Sequence, residues 1–133
     1  MHSFYLLLAD DDVDIGILLT YYIRLVYKDR VSIKSVRTVP ELLDVLSPTA
    51  PVPDLLLLDY HLKPEPLKAT DVLIWMHQQN HLADLPVNVW SSLPDGPEAD
   101  RCRQLGALSF TTKADAFDNM SQFVKNLVEN SSL

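Results

Sequence analysis

The chain has 133 residues, 47% of them apolar and 22% charged, a balance that supports a packed core and excludes a disordered chain or a coiled coil. Lys and Arg number 11 against 18 Asp and Glu, so the formal net charge of −7 argues against direct binding to the phosphates of nucleic acid. The length fits one domain over residues 1–133. The single cysteine, Cys102, excludes an intramolecular disulfide, and the short apolar opening from Phe4 to Ala9 excludes a signal peptide or membrane span, so a cytoplasmic protein is expected.

In chain order, FYLLLA over 4–9 is nearly apolar throughout, as in a strand buried on both faces, and it ends at Asp10. Ile15, Leu18, Leu19, Tyr22, Ile23 and Val26 then recur at helical spacing, behind a first turn carrying Asp12 and Asp14. VSIKSV over 31–36 alternates like a half-covered edge strand. Pro40 suits the first turn of a short second helix containing Leu42, Leu43, Val45 and Leu46. DLLLLD over 54–59 is the most clearly buried strand. The proline-bearing stretch 60–70 reads as a loop, and Val72, Leu73, Trp75 and Met76 mark a third helix. PVNVWS over 86–91 is a fourth strand. Pro97 and Gly106 frame a short polar helix, 107–111 is a fifth strand, and Phe117, Met120, Val124, Leu127 and Val128 give one last helix its core face. Strands alternating with helices predict an α/β fold: a doubly wound five-stranded parallel sheet with helices on both faces.

In such sheets ligands bind outside the carboxyl ends of the strands. Asp10 and Asp11, Asp59, Ser91 and Lys113 fall at those ends. Carboxylates gathered in one crevice repel unless a cation neutralises them, and Asp10 or Asp11 together with Asp59 suits Mg2+ completed by phosphate oxygens. An aspartate can accept a phosphoryl group as an acyl phosphate, while a metal, a lysine and a serine stabilise the charge on the transferred oxygens.

The motifs LLLADDD, DLLLLDYHL, PVNVWSS and LGALSFTTK in combination resemble the receiver domain of two-component response regulators over essentially the whole chain. The resemblance implies a flavodoxin-like strand order of 2-1-3-4-5. It implies Asp59 as phosphoacceptor, Asp10 and Asp11 as the acidic pair on Mg2+, and the His61 backbone carbonyl as a further metal ligand. Ser91 matches the switch hydroxyl, Lys113 the phosphate-binding lysine and Phe110 the switch aromatic. The implied function is a phosphorylation-dependent signalling switch that promotes its own phosphorylation and dephosphorylation and is not otherwise an enzyme. A histidine kinase or phosphotransfer protein would phosphorylate it. The surface of the fourth helix, fifth strand and fifth helix would then shift to engage a protein partner or pass the phosphate on. A monomer or weak dimer is expected, with no output domain and no membrane partner. Two departures stand out: Ala114 replaces the usual proline after the lysine, and the loop 60–70 is longer than the common pattern. A non-proline cis bond costs roughly 2.5–4 kcal/mol, so the bond between Lys113 and Ala114 is expected to be trans.

Blander readings compete. Asp12 and Asp14 suit a helix start better than a ligand role. The spacing of Asp10, Asp12 and Asp14 imitates a calcium loop, but Ile15 and Tyr21 replace the required glycine and glutamate. His77 and His81 lack a third ligand and read as a solvated helix end, and Cys102 reads as packing or a partly exposed thiol. Two other functions stay open. One is a haloacid-dehalogenase-type Mg2+ phosphatase using Asp10, and the other is a degenerate receiver acting as an adaptor.

Overall fold

The computed structural model describes residues 3–94 and 96–131. Its strands are β1 (Phe4–Ala9), β2 (Val31–Val36), β3 (Leu55–Asp59), β4 (Val87–Ser91) and β5 (Ser109–Thr112). The helices are α1 (Val13–Tyr27), α2 (Val39–Val45), α3 (Ala69–His77), α4 (Pro97–Gln104), α5 (Lys113–Asp118) and α6 (Met120–Ser131). All strand pairs are parallel and the order is β2-β1-β3-β4-β5, the expected doubly wound arrangement.

The leucine runs explain why the sheet carries helices on both faces. Successive side chains of a strand point to opposite faces, so an uninterrupted apolar run supplies two cores at once. Leu7, Leu56, Leu58 and Val89 join Leu42, Val72 and Cys102, which places α2, α3 and α4 on one face. Leu6, Leu8, Leu55, Leu57 and Trp90 join Leu19, Ile23, Val124 and Leu127, which places α1 and α6 on the other. Leu6, Leu7, Leu55, Leu56, Leu57 and Leu58 are wholly buried. β2 lies at the edge and keeps only Val31 and Val36 buried, in keeping with its alternating sequence.

Local signals set the helix starts. Asp12 caps α1, its carboxylate accepting from the N–H groups of Asp14 and Ile15 at 3.0 and 3.3 Å. Thr38 caps α2 by accepting from the Glu41 N–H, and Pro40 sits in the first turn.

The structure corrects three expectations. The single last helix is two, α5 and α6, because the chain leaves helical geometry at Asn119, whose carboxamide oxygen accepts from the Gln122 N–H at 3.2 Å. Leu18 and Phe117 are exposed, by 40% and 42%, and are not core residues. Finally, the Nε2–H groups of His77 and His81 donate to the carbonyls of Leu105 and Leu46 at 2.5 and 2.6 Å, so these side chains link separate elements and are not simply solvated.

Candidate functional site

The carboxyl ends of β1, β3, β4 and β5 open into a cleft of about 750 Å³ bordered by Asp11, Asp59, His61, Ser92, Lys113 and Phe117. Asp10 follows β1 and its N–H is anchored to the Val36 carbonyl at 3.0 Å. One oxygen of its buried carboxylate accepts from the Asp12 N–H at 2.9 Å, and the other meets Lys113 Nζ at 2.8 Å. Asp59 ends β3 and is also buried. Its Oδ1 accepts from the His61 N–H at 3.4 Å, and its Oδ2 lies 3.5 Å from Lys113 Nζ. Lys113 is the first residue of α5, directly after β5, so a helix start fixes its backbone. The bond from Lys113 to Ala114 is trans; among the described residues the cis bonds are Lys63–Pro64 and Glu65–Pro66, both in the loop 60–70.

Burial gives these charges their chemical character. The Asp59 carboxyl is pushed from an ordinary 3.8 up to about 7, chiefly by desolvation and then by the neighbouring Asp10 carboxylate. Lys113 and the His61 N–H pull it down, but not far enough to offset burial, and Asp11 adds a smaller upward push. Such a carboxyl exchanges its proton near neutrality and gains from any further cation in the cleft.

Asp10, Asp11 and Asp59 can each offer an oxygen within 4.8 Å of the others, and Asp11 is only partly buried. An all-carboxylate oxygen set with one member open to the cleft fits a hard divalent ion such as Mg2+ or Mn2+, which retains water and shares phosphate oxygens. Asp12 and Asp14 are exposed and belong to the start of α1.

Ser91 ends β4 and Phe110 lies within β5. Ser91 is 1% exposed, and its hydroxyl accepts from the Leu93 N–H at 3.1 Å. Its neighbour Ser92 borders the cleft itself. Phe110 is buried, turned inward against Tyr60 with ring centroids 6.1 Å apart. Cys102 is wholly buried and its thiol pKa is raised by that burial, which settles it as a packing residue.

Two neighbours of the site escaped the sequence reading. Trp90 lies below Lys113, with Nζ 5.4 Å from its ring centroid, and Phe117 meets the Trp90 ring edge-on at 6.2 Å. A signal for Trp90 exists in the strand register. Trp90 pairs with Thr111, and Lys113 follows two residues later as the first residue of α5.

No family model matches the chain, and neither does any curated protein. Solved structures do. The phosphorylated cyanobacterial phytochrome response regulator RcpA superposes with a TM-score of 0.82 at 22% identity, covering 96% of this chain and 93% of that one. The Mn2+-bound response regulator Rcp1 gives 0.79 at 19% identity, over 94% and 91% of the two chains. The chemotaxis response regulator CheY4 of Vibrio cholerae gives 0.78 at 10% identity, over 98% and 99%. The chain has the fold of response regulator receiver domains.

Proposed function

We propose that this protein is a phosphorylation-dependent signalling switch in which Asp59 accepts a phosphoryl group. The observation that carries this reading is the buried Asp59 carboxylate at the sheet's carboxyl end, flanked by Asp10 and Asp11 and faced by Lys113 Nζ at 3.5 Å. An Asp59 oxygen attacks the phosphorus of a phosphohistidine, the P–O bond forms as the P–N bond breaks, and the electron pair leaves on the imidazole nitrogen. Lys113 is placed to turn from the carboxylates to a phosphoryl oxygen, and the Ser91 hydroxyl can donate its own hydrogen to another. Asp10, Asp11, Asp59 and the His61 carbonyl would hold Mg2+, which when bound neutralises carboxylate and phosphoryl charge.

Val13, Ile17, Tyr21 and Leu25 recur every four residues on α1 and are all exposed, Ile17 by 64%. The helix begins beside the cleft, and an apolar row there favours a protein donor, a histidine kinase or phosphotransfer protein, over a small acyl phosphate alone. Once Asp59 is phosphorylated, Ser91 would trade its place under Leu93 for the phosphoryl group. That exchange moves the segment leading into α4 and the packing around Phe110, and so biases the surface of α4, β5 and the helices that follow.

The phosphatase reading is weakened by the geometry of Asp10. Its two oxygens are held closely, by the Asp12 N–H at 2.9 Å and Lys113 Nζ at 2.8 Å, against 3.4 and 3.5 Å for the contacts on Asp59, which leaves Asp10 the poorer nucleophile of the two. A mere adaptor would not need the carboxylates and lysine to converge. Incubation with acetyl phosphate and Mg2+ followed by intact mass and peptide mapping tests the proposal. One phosphoryl group on Asp59, absent from Asp59→Ala, is expected; label on Asp10, or release of phosphate that continues unchanged in Asp59→Ala, refutes it.

A further inference from the structure

We infer that Trp90 is a positioning residue for Lys113, its indole face forming the platform that holds the ammonium over the cleft; the inference rests on the phosphoacceptor reading of that cleft. Lys113 Nζ lies 5.4 Å from the Trp90 ring centroid, within the range of a cation–π contact. The contact is largely shielded from water, since Trp90 is wholly buried and the lysine side chain is only 10% exposed. Desolvation of this kind strengthens attraction between a cation and an aromatic face.

Two observations indicate that the ring's face matters here. The indole Nε1–H is buried with no hydrogen-bond partner among the described residues, so the polar tip contributes no bond. The plane itself is fixed by its aromatic neighbours: Phe123 stacks on it at 5.5 Å with 4° between planes, and Phe117 meets it edge-on. Lysine carries a flexible four-carbon stem, and its head is a point charge without directional preference. With the ring on one side and Asp10 at 2.8 Å and Asp59 at 3.5 Å on the other, the ammonium is confined to a small volume next to the acceptor oxygen. When phosphorylation draws Nζ toward a phosphoryl oxygen, the ring limits how far it swings.

A comparison of Trp90→Phe with Trp90→Leu tests this. Phe and Leu leave similar gaps, but only Phe offers a π face. Labelling by acetyl phosphate is expected to stay within about twofold of the parent rate in Trp90→Phe and to fall roughly tenfold in Trp90→Leu. Equal losses in both variants would mean that Trp90 only fills space, and no loss in either would mean that Lys113 needs no platform; both outcomes overturn the inference. Should Trp90→Leu not fold, Trp90→Met, whose unbranched flexible side chain adapts to the gap without a π face, takes its place.

A second measurement does not depend on labelling. In a Trp75→Phe background Trp90 is the remaining tryptophan, and removing the ammonium with Lys113→Met is expected to change its fluorescence. Unchanged emission overturns the contact. A parent protein that takes no label, together with emission that responds to Lys113→Met, would defeat the phosphoacceptor reading while leaving the contact in place.

Discussion

Asp59 shows what a single buried carboxyl costs in stability. In the unfolded chain it titrates near its ordinary 3.8, and in the fold near about 7, because burial and Asp10 outweigh Lys113. The folded state therefore holds a proton that the unfolded state has lost between those values, and stability declines as pH rises across that window. Below about pH 4 both states are protonated and the penalty vanishes; above 7 it is complete. Asp59→Asn, measured by urea unfolding without divalent ions, is expected to be more stable than the parent at pH 8, by on the order of 2 kcal/mol, with the gain shrinking as pH falls toward 4. A gain that grows on acidification would contradict the assigned balance of burial and charge. Asp10, Asp11 and Asp59 could be picked from the sequence because they follow or end apolar runs, and Lys113 because it stands at the exit of the fifth strand. Trp90 could not, since within VNVWS an aromatic side chain is indistinguishable from core until the register sets it beneath Lys113.

Strands are the elements most legible in the sequence, and the last helix is the least. β1 and β2 match the expected spans, and β3 and β4 differ from them by one residue at the start, because runs flanked by Asp, Pro or Arg have sharp ends. By contrast, β5 begins two residues late and the helical stretch after it is interrupted. Apolar spacing continues through Asn119, so periodicity conceals the break; the visible signal was Asn119 with Gln122 three residues on, a capping pattern in what looked like a helix interior. Leu18 misled for a related reason, since a helical face that takes in every apolar residue at three- and four-residue spacing is wider than the stripe the sheet can cover. Past α4, Gly106 has φ of 102°, and a Cβ there would meet the His77 ring at 3.3 Å, the ring that holds the Leu105 carbonyl. Gly106→Ala is expected to cost roughly 1–3 kcal/mol in chemical denaturation through backbone strain and displacement of His77. A cost no greater than that of an ordinary surface substitution would mean that the α3–α4 link yields freely.

At the scale of the molecule, a chain of net charge −7 concentrates three carboxylates at one end of its sheet. Any cation that binds there and not to the unfolded chain stabilises the fold, by about 2.7 kcal/mol at a hundred times its Kd. For a domain of this size, saturating Mg2+ is expected to raise Tm by roughly 5–10 °C, and Asp11→Ala to remove most of that rise. An equal rise in both proteins would place the ion elsewhere. The strand order β2-β1-β3-β4-β5 also has a meaning in time. Once β1 and β2 have paired, every later strand joins the same growing edge in the order in which the ribosome delivers it, and none has to be threaded between partners already joined. Asp59 arrives with β3 while that edge is still open, and the lysine facing it comes only after β5. On the proposed reading, a nascent chain carries its acceptor aspartate long before it carries the lysine that faces it, and unfinished copies would stay silent.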